Sequence, residues 1–208
     1  MDGKGAAVTL NTALQTKANE HLRHYLYIWH DPAERMLVAS GIEFKDVIPA
    51  LGEAGGIVLR RGSAGTARKP AAFQALAQQQ LPALALEDMH AWGSHAWADW
   101  QEDGQGKPPA SLDADVAAML DHRGAPTPLP ALRSRFLAFA HDDGWYLKLF
   151  YGEWDDVAAL LASTIPPALG TLDLAALQQG GDGYWLQDGT VQAELKTHAI
   201  DSVLNRRL

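Results

Sequence analysis

Two aromatic runs, RFLAFAH (135–141) and WYLKLFY (145–151), flank the short turn DDG (142–144) and decide the predicted fold. Both runs are rich in the aromatic and apolar side chains that strands favour. A short connection that contains glycine is typical of two antiparallel neighbours. The sequence therefore predicts a β-hairpin over 135–151.

A second hairpin is predicted nearer the C-terminus. YWLQ (184–187) and TVQAEL (190–195) flank Asp188-Gly189, and Asp-Gly is among the strongest signals for a two-residue hairpin turn. Upstream, the β-branched run 57–59 predicts a short strand that leads into a basic glycine loop. Together these segments predict one small antiparallel or mixed sheet.

Most of the remaining chain is predicted to be helical. Apolar residues recur every three or four positions over 11–29, which is typical of an amphipathic helix. Residues 44–51 fit either a helix or a strand. The other predicted helices cover 33–40, 71–80, 84–100, 112–122, 153–163, 172–179 and 198–208. The predicted fold class is therefore α+β, with a helical N-terminal two thirds packed on a small antiparallel or mixed sheet built from the two C-terminal hairpins.

Composition indicates a single domain over residues 1–208. Hydrophobic residues make up 47% and charged residues 20% of the chain, which is close to the average of folded domains and unlike a disordered chain. Gly and Pro residues concentrate in the loop 102–110, so this loop is a candidate hinge.

Charge and residue content exclude several classes of protein. The formal net charge of −8 argues against a nucleic-acid partner, because phosphate binding requires a positive field. No stretch approaches the roughly 20 apolar residues of a membrane helix. No signal-peptide pattern is present, so a cytoplasmic location and no membrane partner are expected. The absence of cysteine excludes disulfides and thiolate chemistry.

The segment EDMHAWGSHAWADW (87–100) has the most unusual local composition, with two His-Ala-Trp units five residues apart. Tryptophan is enriched at the centres of protein interfaces. We therefore expect Trp92, His95, Trp97 and Trp100 to bind a protein partner. The alternative is that the tryptophans fill the core, with the histidines at its rim.

The same region supports a metal-site hypothesis. Glu87 and His90 are three residues apart, the spacing that puts a carboxylate and an imidazole on one helix face in carboxylate-bridged metal proteins. His95, together with His21 and His24 of the first predicted helix, completes the candidate ligand set. The chain has no second Glu-x-x-His pair and no His-Glu-x-x-His motif. No cofactor is therefore expected, and a divalent metal is the alternative.

Basic residues concentrate around the glycine loop 62–70. Arg60, Arg61, Arg68 and Lys69 lie in or beside this loop, and glycine-loop amides with guanidinium groups can bind an anion. The Gly-Lys-Ser/Thr ending of a P-loop is missing. A solvated loop is the alternative interpretation.

Two functional hypotheses follow from these patterns. The first is a non-enzymatic cytoplasmic binding protein, of a bacterial inhibitor or immunity type, that acts through an aromatic-rich surface. It rests on the lack of a complete catalytic motif and on the aromatic content of the chain, which has seven tryptophans. The alternative is a metal-dependent enzyme or a small-ligand-binding protein that uses the His/Glu cluster. A homodimer joined through one hairpin is compatible with both.

Overall fold

The computed structural model describes residues 26–52, 54–61, 73–87, 92–101, 120, 134–141, 146–165 and 167–194. Within these ranges, nine strands form one sheet in which every neighbouring pair is antiparallel. The strands are β1 (Leu26–Asp31), β2 (Met36–Ser40), β3 (Gly56–Arg61), β4 (Phe73–Ala77), β5 (His95–Trp100), β6 (Phe136–His141), β7 (Tyr146–Tyr151), β8 (Gly183–Gln187) and β9 (Thr190–Glu194). Their order across the sheet is β4-β3-β5-β6-β7-β2-β1-β8-β9.

Short helices connect the strands. The α-helices are α1 (Phe44–Val47), α2 (Leu81–Leu84), α3 (Trp154–Thr164) and α4 (Leu174–Gln179), and the 3-10 turns are Ile48–Leu51, Gln78–Gln80 and Pro167–Leu169. Among the described residues, no helix has both the length and the apolar character needed to cross a membrane.

The helices cover one face of the sheet, which we call the helix face. Alternate strand residues, including Ile28, Trp97 and Leu149, pack in one buried cluster with Leu160 of α3 and Leu177 of α4. Each of these side chains is at most 1% exposed, and full burial of such a side chain contributes roughly 1.5–3 kcal/mol. Apolar burial on this face therefore holds the helices to the sheet.

The opposite face is apolar as well. Its buried side chains form two clusters, one of Val58, Ala96, Ala98, Trp100, Leu120, Leu137 and Phe139 and the other of Tyr27, Trp29, Met36 and Val38. A strand buried on both faces reads as a continuous apolar run, without the alternation of a half-exposed strand. The run Met-Leu-Val-Ala at 36–39 of β2 is an example, since all four residues are buried.

The predicted α+β class with a helical N-terminal two thirds is wrong. Four segments that lie in or overlap predicted helices form strands, namely β1, β2, β4 and β5. Within the described residues the sheet is consequently large and wholly antiparallel, and its first strand begins at Leu26. The physical reason is double-sided burial, which removes the two-residue period from most of these segments.

Several local predictions agree with the structure. β6 pairs with β7, β8 pairs with β9, and the run 57–59 lies in β3. Helices α3 and α4 occupy the predicted segments 153–163 and 172–179. The candidate hinge 102–110 and the predicted helix 198–208 lie outside the described residues.

Asp99 joins the end of β5 to the start of β6. Its side chain is fully buried. Oδ1 accepts a hydrogen bond from the backbone N–H of Phe136 at 2.7 Å, and Oδ2 accepts one from Arg135 Nε at 3.3 Å. The Asp99 carbonyl also accepts a hydrogen bond from the Ser134 hydroxyl. Because Phe136 follows Asp99 by 37 positions, these bonds fix where the chain re-enters the sheet.

Arg135 extends this junction to the helix face. Its Nη1 lies 3.8 Å from Asp156 Oδ1 in the first turn of α3. Its Nη2 donates to the Ala50 carbonyl in the first 3-10 turn at 3.4 Å. One guanidinium group therefore connects the β5–β6 junction to two of the elements that cover the sheet.

Asp99→Ala should lower the free energy of unfolding by about 2–3 kcal/mol, because it leaves the buried Phe136 N–H and the Arg135 side chain without this acceptor. The measurement is urea unfolding at neutral pH. Asp156→Ala is the matched control, since it removes the longer contact to Arg135 and one first-turn charge of α3 from a partly exposed side chain, and leaves the Phe136 N–H with its acceptor. Equal losses in the two variants would contradict the role of Asp99 at the junction.

The same junction predicts a pH dependence. Burial raises the pKa of Asp99 from 3.8 to about 6, against the opposing effects of the Phe136 N–H and Arg135. Since the folded pKa exceeds the unfolded one, the contribution of Asp99 to stability falls as pH rises from about 4 to about 6. The stability of the wild type relative to Asp99→Asn should therefore decrease over this range. An increase would show that the pKa of Asp99 is depressed.

Candidate functional site

The predicted aromatic binding residues lie inside the protein. Trp92, His95, Trp97 and Trp100 are each at most 5% exposed. Successive residues of a strand point to opposite faces, and Trp97 and Trp100 accordingly belong to clusters on opposite sides of the sheet. In this structure the four side chains do not form one exposed surface. Their burial favours the alternative in which the tryptophans fill the core.

Four residues from different predicted sites nevertheless meet at one end of β3 and β5. The Cζ atom of Arg61 lies 4.4 Å from the centroid of the Trp92 ring. Glu87 Oε2 lies 3.0 Å from Arg61 Nη2 and accepts a hydrogen bond from Trp92 Nε1 at 3.1 Å. The rings of Trp92 and His95 contact edge to face, with centroids 5.2 Å apart. We call these four residues the Arg61 cluster.

The charge of Arg61 is compensated inside this cluster. Its ion pair with Glu87 is partly exposed on both sides, with side-chain exposures of 38% and 42%, so the pair contributes only about 0–1 kcal/mol. Arg60 points to the other face of the sheet because strand residues alternate. Arg68 and Lys69 lie outside the described residues. The described residues therefore bring only Arg61 of the predicted anion site to this cluster.

The ring of His95 is buried and carries an unprotonated nitrogen. Nδ1 lies 3.1 Å from the Gly93 carbonyl, and Nδ1 must donate because a carbonyl only accepts. Nε2 is buried, and the described residues offer it no hydrogen-bond partner. Burial lowers the pKa of His95, the Gly93 carbonyl opposes this shift, and the nearby Arg61 charge adds to it. Burial thus favours the neutral ring, in which Nε2 is a hydrogen-bond acceptor.

The metal-site hypothesis has two described candidate ligands, Glu87 and His95. The other three, His21, His24 and His90, lie outside the described residues. In the described ranges, no group of three or more His, Asp or Glu side chains is placed to hold a metal ion. The metal site stays a prediction.

An exposed tryptophan, supported by a buried tyrosine, lies toward the other edge of the sheet. Trp185 of β8 is 38% exposed, and among the described residues Leu86 is the only other exposed large apolar side chain. Tyr27 of β1 is opposite Trp185 in register, with ring centroids 4.7 Å apart, and Gln192 of β9 is its partner on the other side. We call Tyr27, Trp185 and Gln192 the Trp185 surface.

Gly183 sets the position of the Tyr27 ring. It lies two residues before Trp185, on the same face of β8. A Cβ atom at Gly183 would overlap the hydroxyl and the ring of Tyr27, with Tyr27 Cε2 only 2.8 Å away. The Tyr27 ring thus lies across the Gly183 backbone and supports Trp185 from the side, an arrangement that a larger residue would prevent.

The Trp185 surface lies in an acidic part of the chain. Residues 153–195 contain no Lys or Arg, and their acidic residues are Glu153, Asp155, Asp156, Asp173, Asp182, Asp188 and Glu194. Seven acidic and no basic residues give this stretch a formal charge of −7, compared with −8 for the whole chain. Asp182 and Asp188 flank β8 directly. In the sequence, Trp185 therefore lies three residues from each of two carboxylates, whereas the acidic residues at the starts of α3 and α4 belong to helices that cover the other face of the sheet.

Gly183→Ala should lower the free energy of unfolding by about 1–3 kcal/mol, because the new methyl group forces the Tyr27 ring to move. Gly152→Ala is the matched control, since nothing lies within 4 Å of the Cβ position there. Chemical unfolding measures both variants. Equal stability of the two variants would contradict the close packing of Tyr27 on Gly183.

Folded His95 should be less than half protonated at pH 6.5, the ordinary pKa of histidine, and its neutral form should carry the proton on Nδ1. Because burial lowers the pKa of folded His95 below its unfolded value, the contribution of His95 to stability is lost as pH falls below 6.5. Ring nitrogen chemical shifts measure both the tautomer and the titration, and the urea-unfolded chain is the control. Half-protonation of folded His95 at or above pH 6.5 would contradict its buried position.

Two regions of the described structure thus combine polar or aromatic groups with a defined geometry. The Arg61 cluster compensates its own charge, whereas the Trp185 surface presents an aromatic ring to solvent on a strand flanked by Asp182 and Asp188. Comparison of the chain with protein-family models, with curated proteins and with solved structures found no match.

Proposed function

We propose that the protein is a non-enzymatic cytoplasmic binding protein that recognises a basic segment of a protein partner through the Trp185 surface. The observation that carries this proposal is the 38% exposure of Trp185 within a stretch of chain that contains acidic residues and no basic ones. An exposed aromatic ring on a strand that two carboxylates flank suits a partner that offers both apolar area and positive charge.

The aromatic part of the surface is suited to anchor a partner. Tryptophan is over-represented among the few residues that dominate binding energy at interfaces. The Tyr27 ring supports Trp185 at 4.7 Å between centroids, so Trp185 has fewer orientations to lose on binding. A preorganised side chain costs less conformational entropy when the partner arrives.

The charge around this anchor selects the kind of partner. A Lys or Arg side chain that stacks on an indole ring gains roughly 0.5–2 kcal/mol, depending on its desolvation. Asp188 is exposed and Asp182 is partly exposed, so both carboxylates are placed to attract such a cation. The same charges accelerate the encounter with a basic partner at low ionic strength.

The partner itself is found by placing a photo-crosslinking amino acid at the neighbouring exposed position Gln192. Mass spectrometry should map its adducts to Lys- and Arg-rich peptides, and Trp185→Ala should abolish them. The same crosslinker at Leu86 is the control. Equal adducts at both positions, adducts on acidic or neutral peptides, or an adduct of twice the chain mass would each overturn the proposal. The last result would indicate self-association instead.

Trp185→Ala should weaken binding of the crosslinked partner by about 2 kcal/mol or more, roughly thirtyfold in Kd, because it removes the aromatic anchor. Leu86→Ala is the matched control, since Leu86 is the other exposed large apolar side chain among the described residues. It should leave binding unchanged. Calorimetric titration measures Kd, and thermal unfolding checks that both variants fold.

A further inference from the structure

We infer that the helix face carries a second binding site, for a small carboxylate with an apolar body. A cavity of about 400 Å³ lies between α1, the first 3-10 turn, α2 and the C-terminal end of α3. Small-molecule pockets in proteins measure roughly 300–1,000 Å³. The cavity therefore has room for a small organic molecule.

The apolar part of the lining suits a hydrocarbon body. Ile48 and Pro49 of the first 3-10 turn line the cavity together with Leu81 and Pro82 of α2, and Ala85 follows α2. A ligand that fills this space removes apolar surface from water, which is favourable in proportion to the area removed. Burial of the apolar body of the ligand is therefore a source of its affinity for this cavity.

Lys45 favours an anionic group on the ligand, although Glu43 compensates part of its charge. This residue lines the cavity, and its Nζ lies 2.8 Å from Glu43 Oε2. An ammonium group has three N–H donors, so the pair with Glu43 leaves two of them for a ligand. Lys45 is the one charged side chain in the described lining of the cavity. The matching ligand group is an anion that accepts hydrogen bonds, such as a carboxylate.

The two other polar side chains of the lining already use donors within the protein. The Gln78 side-chain amide donates to the Gly52 carbonyl, and the Ser163 hydroxyl donates to the Leu160 carbonyl at 2.8 Å. These side chains therefore mainly offer oxygen acceptors to a ligand. Lys45 is therefore the main hydrogen-bond donor that these side chains offer to an anionic group.

This site is separate from the Trp185 surface. The cavity is lined by elements that cover the helix face, and its residues Ile48, Leu51 and Leu81 belong to the buried cluster there. Trp185 and Tyr27 lie on the opposite face of the sheet. Failure of either proposal therefore leaves the other unaffected.

The experiment uses octanoate, octanol and octylammonium as probes of equal chain length in calorimetric titrations of the full chain. Octanoate should bind with one site per chain, octanol about tenfold more weakly and octylammonium more weakly still, because only the carboxylate gains charged hydrogen bonds to Lys45. Equal binding of octanoate and octylammonium, or no saturable binding of octanoate, would overturn the inference.

Two substitutions test the role of charge directly. Lys45→Met keeps most of the length of the side chain and should weaken octanoate about tenfold, to the level of octanol. Glu43→Gln removes the competing carboxylate and should strengthen octanoate while leaving octanol unchanged. Octanoate binding that does not respond to either variant would show that Lys45 does not hold the carboxylate.

Ala85→Phe and Ala83→Phe test the place of binding. Ala85 lines the cavity, so a phenyl ring there should block all three probes. Ala83 is an exposed residue of α2 that is not part of the lining, and its variant should bind octanoate as the wild type does. The same loss in both variants, or in neither, would place octanoate outside this cavity.

Discussion

The pairing of β5 with β6, which joins β4-β3-β5 to the other six strands of the sheet, depends on the hydrogen bonds of Asp99 at the junction of these two strands. A strand that slips by one residue turns all of its side chains to the other face, and in β5 the residues on both faces are buried. β5 ends at Trp100 and β6 begins at Phe136, so the two strands are too far apart in sequence for a two-residue turn to set their register. The Asp99 carboxylate does so by accepting the first backbone N–H of β6. A buried carboxylate is costly without partners, and Arg135 supplies the compensating charge while it also contacts α3 and the first 3-10 turn.

Burial of both faces also explains which parts of the fold could be predicted from the sequence. The hairpins β6–β7 and β8–β9 were predictable because turn chemistry and aromatic runs identify a hairpin locally. Strands β1 and β2 were not, because their buried runs lack a two-residue period and overlap short stretches with helical spacing. β5 did carry a signal. In His-Ala-Trp-Ala-Asp-Trp at 95–100, alanine alternates with larger residues over the first four positions, and Gly93 and Ser94 interrupt the predicted helix just before it. A period of two is therefore visible there, but the tryptophans suggested a helical face instead.

The candidate sites also differ in whether the sequence can identify them. Unusual residues can be identified locally, whereas contacts made by strand pairing depend on residues far apart in the chain. Arg61, Glu87, Trp92 and His95 were chosen from the sequence as unusual residues, under three different hypotheses, and the structure brings them together because β3 and β5 are neighbours. The Trp185 surface could not be found in this way. Its geometry depends on the pairing of β8 with β1, which joins residues 27 and 185. No local pattern reports that pairing, and the support of Trp185 by Tyr27 follows from it.

The acidic residues of the stretch 153–195 fall into two groups. Some stabilise the fold, and others are not required by it. Asp173 caps α4 by accepting hydrogen bonds from the N–H groups of Ala175 and Ala176. Asp155 and Asp156 lie in the first turn of α3, where negative charge stabilises a helix. At the β8–β9 hairpin the situation differs. Asp188 has a positive φ of 50° in the turn, a conformation that asparagine would adopt as readily without a charge. The carboxylate of Asp188 is therefore not required by the turn, and its exposed charge stays available to solvent beside the strand of Trp185.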